Sequence, residues 1–183
     1  MIANILEALL KELNQFLKAR YELNENAVVL TTLVNQDGSM PLEAQNKIVC
    51  SMIGLEQDRT SLNHSVKGMG NKNAPINLNM YALFAANFDA KNYTQSLKVL
   101  SGVLAFFQGK QVFTNKNTPA LNNVVEKITL TIANVEFREL THLWGAIGAK
   151  YVPSVVYKIR MISIDQNRIL NEVTPISGLD TDT

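Results

Sequence analysis

THLWGAIGAKYVPSVVYKIRM, residues 141–161, places the chain's only Trp, two glycines and a proline between segments of different periodicity. Leu140, Leu143, Trp144 and Ile147 stand at i, i+3, i+4 and i+7, so the indole belongs to the inward face of a short helix. Gly148 can adopt the left-handed conformation that ends such a helix. Pro153 prevents the helix from resuming and drives Val152 toward an extended backbone. Beyond it, Val155, Tyr157, Ile159 and Met161 alternate with Val156, Lys158 and Arg160, the period of a strand. Trp144, Pro153 and Tyr157 are therefore the expected structural core.

The same two periods recur along the rest of the chain. Ile2, Ile5, Leu6, Leu9, Leu13, Phe16 and Leu17 predict an amphipathic first helix, with Glu7, Lys11, Asn14 and Lys18 on its polar side. Ala27 to Leu33 reads as a strand followed by an Asp37-Gly38 turn, and Ile48 to Leu55 as a strand buried on both faces. A third strand puts Ile76, Leu78, Met80, Ala82 and Phe84 on one face, and Asn77, Asn79, Tyr81 and Leu83 on the other. From Ala90 to Gln108 a second helix carries Tyr93, Leu97, Leu100, Leu104 and Phe107 in one stripe, widened by Val99, Val103 and Phe106, with Asp89 as N-cap and Gly109 as a left-handed stop. Its greater apolar width suggests deeper burial than the first. Glu126 to Val135 sets Ile128, Leu130 and Ile132 against Lys127, Thr129 and Thr131, a half-buried strand. This order predicts one α+β domain over residues 1–165, with a mostly antiparallel sheet and helices packed on its faces. Residues 166–183 form a polar tail with an apolar cluster at Val173 to Ile176, an interaction arm on this reading.

At 183 residues and 46% hydrophobic content the chain can bury a core without disulfides or metal. Lys and Arg number 17 against 16 Asp and Glu, so no overall field recruits nucleic acid or an anionic membrane. The single cysteine, Cys50, lies in the apolar run KIVCSMIGLE and reads as a buried, inert thiol. The N-terminus lacks the basic leader and cleavage site of a secretory signal, and no run approaches a membrane span. The expected compartment is the cytoplasm.

No catalytic residues are assigned. His64 and His142 have no partner at metal-ligand spacing, and KGMGNKN leads into a strand where a phosphate loop would open a helix. No metal or cofactor is expected. Glu56, Asp58, Glu136 and Glu139 read as solvated surface charge. Lys127, Lys158 and Arg160 lie on outward strand faces as a small basic patch, too few for a nucleic-acid footprint. Arg59 to Asn73 is a long polar loop, of a length that goes with either function or disorder, and it contributes Arg59, Lys67 and Lys72 to a candidate interface with those three cations.

Three segments together resemble the tail-terminator, or cap, protein family of bacterial contractile injection systems. They are INLNMYALFAANF at residues 76–88, NYTQSLKVLSGVLAFFQGKQVF at 92–113 and HLWGAIGAKYVPSVVYKIRMISI at 142–164. The similarity runs from the first helix to about Asp165. It implies a fold like that of contractile phage tail terminators and a structural role with no catalytic residues. Such a subunit would join a homohexameric ring on the inner tube protein and the sheath protein, stopping their polymerisation, and would assemble in the bacterial cytoplasm. An adaptor or baseplate-associated role, a small enzyme and a free-standing ligand-binding domain are the competing readings. A ring joins different patches head to tail, and the strand at Glu126 to Val135, the Arg59 to Asn73 loop and the tail are the expected places for pairing.

Overall fold

The computed structural model describes residues 2–58 and 77–163. Three helices, α1 (Ile2–Tyr21), α2 (Tyr93–Gly109) and α3 (Phe137–Ile147), accompany six strands. These are β1 (Val28–Leu30), β2 (Lys47–Gln57), β3 (Asn77–Asn87), β4 (Val112–Thr114), β5 (Val125–Ile132) and β6 (Ser154–Ser163). They form one sheet in the order β1-β2-β3-β6-β5-β4, antiparallel except for the parallel β1–β2 pair. The α+β architecture expected from the alternating periods is therefore present.

Strand alternation sorts the core into two layers. Ile48, Cys50, Met80, Ala82, Phe84, Ile128, Leu130, Tyr157, Ile159 and Met161 pack with the apolar faces of α1 and α2. Val49, Leu83, Ala85 and Val156 pack on the opposite side with Trp144, Leu33 and Ala44. In the larger layer Tyr157 meets Phe84 edge-on at 5.6 Å between centroids and Phe107 at 4.9 Å, geometries that add to simple burial. Burial pushes the Cys50 thiol up to about 12, so the inert reading of that residue agrees with its surroundings.

Several expectations from periodicity are overturned. The α2 stripe holds only in part: Phe107 and the widening Val99 and Val103 are buried as expected, but Ser96 and Gly102 are buried beside them while Tyr93 and Leu97 are exposed. The cause is a close helix crossing. A Cβ on Gly102 would stand 2.6 Å from Leu17 Cδ2 and 2.7 Å from the Tyr21 ring, so any side chain here would have to push those two aside for α1 to approach as it does. The α1 helix, wedged against α2, β1 and the 3-10 turn at Pro119–Val124, is the more completely buried of the two. Asn14, expected on its polar side, is only 6% exposed.

Gly109 does not stop α2 in a left-handed conformation. It is the last helical residue, and the extended Lys110 follows, its N–H donating to Phe106 O at 2.9 Å. Asp89 does not cap α2 either, because a 3-10 turn at Ala90–Asn92 intervenes and the Asp89 carboxylate accepts from Asn46 Nδ2. The first strand is only Val28–Leu30. That short neighbour pairs only with Ile48, Val49 and Cys50 of β2; Met52 and Leu55, beyond it, are exposed, and β2 is not buried on both faces throughout. A short β4, not foreseen, pairs with β5, and β5 is therefore an interior strand with no free edge along that pairing. Ile132, beyond it, is exposed.

Candidate assembly surface

The α3 side of the sheet has two halves. Over one half the helix lays Trp144, Leu140, Leu143 and Ile147 onto Leu83, Ala85 and Val156. Trp144 is 5% exposed and meets the exposed Tyr151 ring edge-on at 5.5 Å. Gly148, at φ +72, ends α3 with its N–H shared between Trp144 O and Gly145 O. At the start of the helix the Glu136 N–H donates to the Glu139 carboxylate at 3.4 Å, so these acids serve the helix terminus. Pro153 enters β6 through its carbonyl, which accepts the Ala86 N–H at 2.8 Å.

The other half of that face lies beyond α3 and is polar. Register aligns Glu56, Asn79, Arg160 and Thr129 in one row across four strands, with Tyr81, Lys158 and Thr131 in the next. Glu56 accepts from the Tyr81 hydroxyl at 2.9 Å and Asn79 Nδ2 at 3.2 Å, and its carboxylate lies 3.5 Å from Lys158 Nζ. Arg160 Nε stands 2.7 Å from Asp58 Oδ2. The acids on β2 thus reach the cations on β6 across β3, whose Asn79 and Tyr81 fill the gap. The Tyr81 hydrogen bond, the largest contribution, holds the Glu56 carboxyl below its ordinary range, and the same bond pushes the Tyr81 hydroxyl up.

This geometry changes the reading of the expected basic patch. Lys158 and Arg160 do share a face with Lys127, but each faces a carboxylate. Asp58, expected to be solvated, is 7% exposed. Lys127 is exposed on β5 opposite Ile162. Arg59, Lys67 and Lys72 lie outside the described residues. Glu56, Asp58, Asn79 and Tyr81 were missed as partners, although each strand carries its polar pair at i and i+2, the spacing that puts both on one face. Among the described residues no three His, Cys, Asp or Glu side chains gather to hold a metal, and no helix is long and apolar enough to cross a membrane.

The fold as a whole is similar to that of two solved terminator chains. One solved relative in fold is the sheath/tube terminator of the PVC extracellular contractile injection system in its extended state, at TM-score 0.55 and 14% identity, over 100% of this chain and 64% of that one. Another is the tube-terminating cap of the anti-feeding prophage, at TM-score 0.54 and 16% identity, over 93% of this chain and 58% of that one. The chain belongs to the Pvc16 N-terminal domain family, whose sequence model matches residues 4–178. It spans about three-fifths of the length of the two solved chains. No curated protein matches it in sequence.

Proposed function

We propose that this chain is a structural cap subunit of a contractile injection system, ending the growth of inner tube and sheath. The family match over residues 4–178 is the observation that carries this reading. In this role the subunit joins further copies in a homohexameric ring seated on the tube and sheath proteins. The role needs a rigid body with spaced contact surfaces and no catalytic group. Assembly in the bacterial cytoplasm is part of the same proposal, as is an arm function for residues 166–183.

The polar half of the sheet, from Glu56 and Asp58 to Lys158 and Arg160, is the candidate contact surface within the described residues. Its charges are matched in pairs, so its recognition would rest on shape and hydrogen bonding more than on a net field. Arg59, Lys67 and Lys72, proposed for the same interface, follow β2 in the sequence. Lys127→Glu is the cleanest single test of docking, since that side chain is exposed; Arg160→Glu would also set a like charge against Asp58.

Electron microscopy of particles from cells lacking this protein tests the role directly. Tubes and sheaths of overlong or scattered length, restored by the intact gene, are the expected result. Particles with normal lengths and normal ends would overturn it.

A further inference from the structure

We infer that the carboxamides of Asn14 and Asn117 close the two outermost strands of the sheet, so that a second copy of this chain cannot pair with either by strand addition. Outermost strands present backbone groups that another chain can use as a template. In β1, the bonds from Ile48 N–H to Ala27 O and from Thr31 N–H to Cys50 O fix which groups face β2. By alternation, the N–H and C=O of Val28 and Leu30 point away from the sheet. Asn14, from α1, takes both groups of Val28: the N–H donates to Oδ1 at 2.9 Å, and Nδ2 donates to the carbonyl at 2.8 Å. That is the pairing an antiparallel neighbouring residue would offer.

The opposite edge is treated in the same way by a different element. Leu130 N–H donates to Gln111 O, and Phe113 stands opposite Ile128, so Val112 and Thr114 direct their backbone groups outward. Asn117, in the turn after β4, accepts the Thr114 N–H on Oδ1 at 2.8 Å and donates from Nδ2 to Val112 O at 3.0 Å. Thr114 O accepts the N–H groups of Asn117 and Thr118. Within these two strands, Leu30 and the Val112 N–H are left for an incoming chain, too little for a repeated ladder; the part of β2 beyond β1, residues 51–57, is not closed by these amides.

The first edge is closed at Val28 by packing as well as by hydrogen bonding, since Asn14 and Val28 are both buried where α1 meets β1. An open groove of about 480 Å³ runs beside it between α1 and β1, lined by Leu10, Lys11, Gln15 and Leu30 among others. A chain in that groove would meet the exposed Leu30, and would have to displace Asn14 to pair with Val28. This also accounts for a buried amide in the otherwise apolar inner face of α1. The inference stands independently of the cap reading, because it concerns the isolated chain.

The test uses the full chain, with amide hydrogen exchange followed by NMR and mass measured by light scattering over a concentration series. In Asn117→Ala the Thr114 amide should exchange about tenfold faster, while the inward-facing Phe113 amide keeps its rate. Asn14→Ala combined with Asn117→Ala should form concentration-dependent species larger than wild type. Should loss of the buried Asn14 prevent folding, Asn117→Ala alone decides, since that side chain is exposed. An unchanged Thr114 rate, or cooperatively folded uncapped variants with wild-type mass at every concentration, would overturn the inference.

Discussion

The two faces of the sheet are finished by different means. One is roofed by α1 and α2, and its strand residues are apolar from Cys50 to Met161. The other is roofed by α3 over half its area, and where the helix ends the strand residues become Glu56, Asn79, Tyr81, Lys158 and Arg160. The same strands thus change chemistry along their length according to cover. A roofed position is stabilised by area removed from water; an open one is stabilised by pairing groups that remain partly wet. The lesson is that β3 and β6 alternate cleanly on their helix-covered side and switch halfway on the other, at the edge of α3.

Trp144→Ala tests whether the two roofs are one cooperative unit. Truncating this buried ring should cost about 3–5 kcal/mol in urea unfolding. Hydrogen exchange should rise first in α3 and spare α1 and α2; equal acceleration everywhere would break the contrast between the faces. Asp58→Ala should cost less, about 1–3 kcal/mol, because Asp58 is buried but Arg160 is 45% exposed and remains partly solvated. A double-mutant cycle with Arg160→Ala would show little coupling if the pair contributes nothing.

Gly102→Ala sharpens the comparison from the other side. Overpacking against Leu17 and Tyr21, offset in part by alanine's better helix propensity, should leave a net loss of about 1 kcal/mol in thermal or urea unfolding. No loss would mean that the crossing of α1 and α2 is looser than the distances imply. The smallest effect is expected for Glu56→Gln. The folded Glu56 carboxyl titrates below its ordinary value of 4.5, so its stabilising contribution is present above that value and is lost as pH falls through its lowered folded value. The variant's melting temperature should therefore decline less on acidification than that of wild type.

Much of this was legible in the sequence where one period dominated. The Trp144 stripe, Gly148 and the alternation of β6 are local signals, and the corner they describe is the one that forms. What escaped was set by partners distant in sequence. Gly102 and Ser96 hold the buried side of α2 because α1 lies against them, which no inspection of α2 alone reveals. The pairing of Glu56 with Lys158 and Asp58 with Arg160 depends on β3 lying between β2 and β6, a matter of strand order. The resemblance carried the family assignment that these local signals did not contain.

The root of the 59–76 segment has an engineering consequence. Where β2 ends and β3 begins, the Asp58 N–H donates to Asn77 O at 2.8 Å, so the two chain ends are already joined by the ladder. Closure entropy grows only with the logarithm of length, at about 0.6 kcal/mol per doubling. On closure entropy alone, lengthening the connection between Asp58 and Asn77 should therefore cost folding little.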